Sequence, residues 1–218
     1  MENAKEFIAK NIAQALQPGE VVNLGIGIPT MVLDYLPDSA GVIIQAENGI
    51  VGCKKVPEEE KDQDLRDAGG ALVGMIRGGS TVDSAVSFGL IRGGHVDTTI
   101  LGAFQVSEDG DIASWDIPGK VMKGAGGAMD LVVGAKKVIV AMTHVDRSGA
   151  PKLVSQCTLP LTAVGEADLI YTDMAVIAIE DHKMVLKAIA PGTAIEEVKR
   201  CTGAELIVPE RVEEMLPL

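Results

Sequence analysis

Aromatic residues are scarce in this chain, with three Phe, two Tyr and one Trp in 218 residues. So few flat side chains give no platform on which successive nucleic-acid bases could stack. Basic clusters are thin as well. The net charge is −12, and adjacent basic pairs such as Lys54-Lys55 and Lys136-Lys137 lie far apart in sequence. Nucleic-acid binders gather Lys and Arg on one face, so no nucleic-acid partner is expected. Cysteine is rare: Cys53, Cys157 and Cys201 are odd in number, far apart and outside any C-x-x-C pairing. That leaves neither a disulfide framework nor a zinc-ligand spacing, and points to a reducing compartment. No run approaches the ~20 apolar residues of a membrane helix. The opening MENAKEFIAKNIAQAL mixes acids and bases in an amphipathic helix pattern, unlike a signal peptide. The expectation is a soluble, acidic, cytoplasmic protein that handles small molecules, with no membrane partner and no metal.

What the chain does have is glycine, twenty-five of them, and short β-branched runs. Glu2 to Leu16 reads as a helix, with Phe7, Ile8, Ile12 and Leu16 on one stripe. Strands are expected at Val21 to Gly27, Val42 to Glu47, Thr98 to Val106, Lys136 to Thr143, Asp168 to Asp173 and Met174 to Asp181. Near-continuous apolar runs of this kind suit strands covered on both faces. Helices are expected at Thr30 to Tyr35, Ser84 to Arg92, Gly127 to Val133 and Ile195 to Thr202. Alternation of the two predicts an α/β fold, an open, mainly parallel sheet flanked by helices. With no repeat and no linker, residues 1–218 read as one domain. The acidic stretch Glu58 to Asp64 reads as a solvated surface.

Several glycine clusters follow expected strands. In open α/β sheets ligands bind beyond the carboxyl ends of strands, where glycine lets backbone approach a ligand closely. KGAGGA (Lys123 to Ala128) opens a helix, so its backbone N–H groups are placed to hold an anion or oxyanion. Glu47 closes an apolar strand just before the turn dipeptide Asn48-Gly49. A cap, a buried ion pair or an exposed strand end would each account for a carboxylate there; so would a catalytic one. A dinucleotide reading of GIGIPT fits poorly, because Thr30 takes the third glycine's place and Pro29 removes a donor. His95, His144 and His182 have no H-E-x-x-H context, and no G-x-S-x-G is present.

VVNLGIGIPTMV (Val21 to Val32), QAENGIVG (Gln45 to Gly52) and the run from Ser87 to Trp115 together resemble class I, 3-oxoacid-type CoA-transferase β subunits. Ile117 to His144 and KLVSQCTLPLT (Lys152 to Thr162) extend the likeness over nearly the whole chain. The chain is similar to the butyrate–acetoacetate type of β subunit. The resemblance implies that Glu47 is a covalent nucleophile, set in a Ser-Glu-Asn-Gly signature that has Ala46 in the serine's place here. It implies backbone donors near Gly126 and Gly127, and Gly25, Gly27, Asn48 and Gly49 as loops beside the site. It further implies transfer of CoA between an acyl-CoA and a short carboxylic acid, through a glutamyl–CoA thioester. No cofactor is expected, because coenzyme A is itself the substrate. The partner would be an α subunit, in a heterodimer or heterotetramer. An acyl-CoA hydrolase and a non-catalytic acyl-CoA-binding relative are the alternatives on the same scaffold. Cys53-Lys54-Lys55 departs from the glycine-rich continuation of many relatives.

Overall fold

The structure is a computed structural model that describes residues 2–119 and 124–217. Helix α1 (Glu2–Ala15) leads into β1 (Val21–Leu24), a 3₁₀ helix (Pro29–Tyr35) and β2 (Ile43–Ala46). A hairpin of β3 (Ile50–Lys54) and β4 (Gly74–Thr81) follows, then α2 (Ser84–Arg92) and β5 (Thr98–Leu101). Next come β6 (Gln105–Ser107), β7 (Ile112–Ala113), α3 (Ala128–Gly134) and β8 (Lys137–Ala141). The chain continues through β9 (Leu153–Val154), β10 (Leu169–Tyr171), β11 (Ala175–Glu180) and β12 (Lys183–Ile189). It finishes with α4 (Ile195–Cys201), β13 (Leu206–Ile207) and β14 (Glu213–Glu214).

The main sheet runs β13-β12-β11-β10-β8-β5-β1-β2-β3-β4, with β14 also paired to β12. Its middle, β10-β8-β5-β1-β2, is parallel, while β2-β3, β3-β4, β10-β11 and β11-β12 are antiparallel. The expected mainly parallel sheet flanked by helices is therefore what forms, with antiparallel flaps on either side. Every residue of β5 is buried, as a doubly covered strand requires. On one face α1 sets Ile8 and Ile12 against Val22, Ile44, Ile100 and Ile139. Each fully buried isoleucine contributes about 1.5–3 kcal/mol. On the other face Val132 of α3, Val198 of α4 and the small sheet β7-β6-β9 cover Leu101, Val138, Val140 and Ile170. Strand β1 pairs with β2 on one side and with β5 on the other. The strand order thus reverses at β1, and ligands of open α/β sheets bind at such a reversal, beyond the carboxyl ends.

Some elements differ from expectation. The run from Thr98 to Val106 is two strands: the chain leaves the main sheet after Leu101, and Gln105 begins the small sheet. That departure brings Val106, Ile112 and Leu153 over the end of the core. The helix expected from Thr30 is 3₁₀ and begins at Pro29, where a missing N–H is harmless. Its room is short, between the positive-φ Gly27 (φ +106) and Pro37. Glu58 to Glu60 is a short exposed 3₁₀ turn, in line with a solvated acidic surface.

His144, just past β8, is completely buried between Thr172 Oγ1 (3.0 Å from Nδ1) and Thr202 Oγ1 (2.9 Å from Nε2). Burial pushes its pKa from 6.5 down to about 4. The unfolded chain then takes up a proton near pH 6.5, whereas the folded chain resists until about pH 4. Stability supported by the neutral ring is complete above pH 6.5 and drains away as the pH falls toward 4. Urea unfolding of the wild type and His144→Gln across this window should show a shallower acid-side loss in the variant. Parallel slopes would contradict the assignment.

Candidate active site

The site is built on the turn that follows β2. The Gly49 N–H donates to the Ala46 carbonyl at 2.9 Å, which closes a turn with Glu47 and Asn48 at its corners. Gly49 has φ +124, and its carbonyl accepts from Val82 N at 2.8 Å. A Cβ placed there would lie 2.1 Å from the Val82 oxygen. Only glycine fits at that point. Asn48 Nδ2 donates to the Arg66 carbonyl at 2.8 Å, tying the turn to the loop before β4. Ala46 is buried among Val22, Ile44 and Ile50. Position 46 therefore faces the apolar core, and alanine suits it.

Glu47 is thus the first turn residue rather than the last of the strand, and its side chain is half-buried. Gly126 and Gly127, which lead into α3, lie against it. A Cβ on Gly127 would be 2.9 Å from Glu47 Oε2 and 3.0 Å from Phe88 Cζ, and one on Gly126 would be 4.0 Å from Oε1. Desolvation raises the Glu47 pKa above the ordinary carboxylate value; a hydrogen bond from the Gly127 backbone opposes this, and the nearby Asp130 charge adds to it. Asp130 in turn pairs with Arg92 of α2 (Nε to Oδ1 2.7 Å), whose guanidinium sits 5.5 Å over the Phe88 ring. The carboxylate consequently has a backbone donor on one side and an apolar ring close by.

The other expected loop residues are less intimate with it. The Gly25 N–H donates to the Ile100 carbonyl at 2.8 Å, and a Cβ there would be 3.3 Å from the Leu101 Cα. Its missing side chain thus serves close packing of the turn after β1 on β5. Gly27 is exposed, and its positive φ turns the chain with no atom within 4 Å of a would-be Cβ. KGAGGA begins at Lys123, outside the described residues. Phe88 and Asp130 escape a reading of the sequence, since a helix-borne Phe and a first-turn Asp carry no motif.

Gly127→Ala should cut any reaction that runs through Glu47 by about 10²–10³-fold, the usual effect of disturbing one preorganised donor. The added methyl must displace either the carboxylate or Phe88. Single-turnover kinetics check this, and an unimpaired variant would detach Gly127 from the site.

The family profile described as Coenzyme A transferase matches residues 5–200. The chain belongs to that family. Within it, the relatives that are 44–48% identical are named as β or B subunits. The β subunit of an acetate CoA-transferase from Haemophilus influenzae is 47% identical over 98% of this chain and 96% of its own length. The B-type partner of a succinyl-CoA:3-ketoacid coenzyme A transferase from Helicobacter pylori is 44% identical over 94% of this chain and 99% of its own. Among solved structures, an acyl-CoA transferase of Escherichia coli O157:H7 shares the fold at TM-score 0.79 with 19% identity. The match covers 98% of this chain but 43% of that longer one. The AibA/AibB decarboxylase also shares the fold, at TM-score 0.71 and 19% identity, over 98% of this chain and 89% of its own.

Proposed function

We propose that this chain is the β subunit of a CoA-transferase that moves CoA from a short-chain or 3-oxo acyl-CoA to a free carboxylic acid, with Glu47 as nucleophile. The observation that carries the reading is the half-buried Glu47 carboxylate held against the Gly127 backbone donor. Relatives named for acetate, succinyl-CoA and 3-ketoacids support short acids as the substrate class.

The Glu47 carboxylate attacks the thioester carbonyl and expels CoA thiolate, leaving an acyl–glutamyl anhydride. The thiolate then attacks the glutamyl carbonyl and expels the first acid, which leaves a glutamyl–CoA thioester. A second carboxylate attacks that thioester and expels the thiolate, giving a new anhydride. Attack of the thiolate on the new acyl carbonyl releases the new acyl-CoA and restores Glu47. Splitting the exchange in this way replaces one hard step by easier ones. A carboxylate nucleophile resembles the substrates, so each exchange is close to thermoneutral. Every addition creates an oxyanion, which fixed N–H groups such as those at Gly126 and Gly127 stabilise without reorganising. Water must be kept out, since anhydride and thioester both hydrolyse.

Part of that exclusion falls to an α subunit. Large apolar side chains stand exposed on the elements around the site: Ile26 at 73%, Val86 at 49% and Met129 at 45%. A second polypeptide covering them would complete the pocket, which accords with relatives named as one half of a two-part enzyme. CoA exchange from acetoacetyl-CoA to acetate or butyrate should require both the α subunit and the acceptor acid. Full exchange by the single chain would contradict the shared pocket, and CoA release without acceptor would mark a hydrolase.

A further inference from the structure

Beneath the Glu47 turn the central parallel strands carry a polar row where apolar residues are the rule. Thr99 on β5, Asn23 on β1 and Gln45 on β2 are register partners across three neighbouring strands. All three are buried to within about 1% exposure, and Ser87 of α2 is equally buried. Asn23 Nδ2 donates to the Gln45 carbonyl at 3.1 Å and to Gln45 Oε1 at 2.6 Å. Gln45 Nε2 donates to Ser87 Oγ at 2.9 Å and to the Ala46 carbonyl at 3.2 Å. That carbonyl is the same acceptor that the Gly49 N–H uses to close the nucleophile's turn.

The chain of bonds therefore ends on the turn itself and on the helix beside it. Phe88, next after Ser87, is the ring that a Gly127 side chain would strike. The row is a poor choice for stability alone. Among the described residues, Asn23 Oδ1 and Thr99 Oγ1 are the buried side-chain oxygens with no protein partner, and an unmade buried hydrogen bond is destabilising. Valine or leucine at these positions would pack without that penalty, as apolar residues do in neighbouring β8. Polar residues kept in an apolar layer, and aimed at one turn, fit a device that fixes geometry.

We propose that Asn23, Gln45 and Ser87 are positioning residues that set the angle of the Glu47 turn against Gly127 and α2. They touch neither substrate nor the reacting carboxylate; they act through the Ala46 carbonyl and through Ser87. The proposal rests on Glu47 as the CoA-bearing nucleophile. Misplacing a reacting group by about 1 Å costs about 10²-fold in rate, so a loosened turn is expected to slow covalent chemistry and leave substrate binding intact.

The test uses the α–β complex with acetoacetyl-CoA and follows single-turnover formation of the enzyme–CoA adduct by intact mass. Gln45→Leu and Ser87→Ala should each form the adduct about 10–100-fold more slowly. KM for acetoacetyl-CoA should stay within about twofold, and the thermal midpoint should fall only modestly, since each change leaves one buried partner without its hydrogen bond. Ser87→Thr, which keeps the hydroxyl, should restore most of the rate. Ser87→Ala carries the test if Gln45→Leu does not fold. Wild-type adduct rates in the folded variants would overturn the positioning role. So would a loss of rate that merely tracks a lowered midpoint. Absence of the adduct in the wild type would instead remove the nucleophile reading on which the proposal stands.

Discussion

Glu47→Gln should abolish CoA exchange, with a loss on the order of 10⁴-fold or more, as when other covalent nucleophiles are removed. The substitution is nearly isosteric. A glutamine still accepts from the Gly127 N–H and fills the half-buried space beside Phe88, so the fold should survive. What disappears is the carboxylate that, in the proposed mechanism, would form the anhydride. The wild type should also show an acid limb in kcat/KM above the ordinary carboxylate range. Desolvation raises the Glu47 pKa, and only the ionised form attacks, so activity is full above that pKa and falls as the pH drops through it. An unchanged exchange rate in Glu47→Gln would place the chemistry elsewhere.

Gly49→Ala should be the most damaging single methyl in the site region. The new Cβ would meet the Val82 oxygen at 2.1 Å, and the backbone at φ +124 is one that side chains rarely adopt. The contact is with backbone, on a bond that joins the turn to the strand end before α2, so no flexible side chain can yield. A destabilisation of roughly 3–5 kcal/mol is expected. Urea unfolding measures it, and activity should fall with it because the Glu47 turn must open. Asn48→Ala is a control, since its single bond to the Arg66 carbonyl is exposed and its loss should cost about 1 kcal/mol. Equal effects from the two would contradict the steric account.

Much of this is legible in the sequence because local signals agree. The β-branched runs at Val21, Val42 and Lys136 are buried on both faces, so their hydropathy marks them. Ser84 to Arg92 begins after Asp83, which caps it by accepting from Val86 N at 2.8 Å. Strands β3 and β4 are not legible, because Gly52, Gly74, Gly78 and Gly79 interrupt the apolar pattern that would expose them. Two of those glycines answer to tertiary packing: a Cβ on Gly74 would meet Val56 at 2.2 Å, and one on Gly79 would meet Met75 at 2.3 Å. Glu47 is visible as an acid at the end of an apolar strand. Its neighbour Gly127, eighty residues later, is reachable from sequence only through family resemblance. Gln45 stands in plain view inside an apolar run, yet its meaning depends on Asn23 and Ser87, which only the fold brings together.

The measurement closest to the central claim is a peptide map of the α–β complex after brief reaction with acetoacetyl-CoA and no acceptor acid. The account predicts one adduct, of the mass of CoA less water, on the peptide that contains Glu47, removed when acetate is added. An adduct on another residue, or turnover with no adduct on this chain, would contradict it.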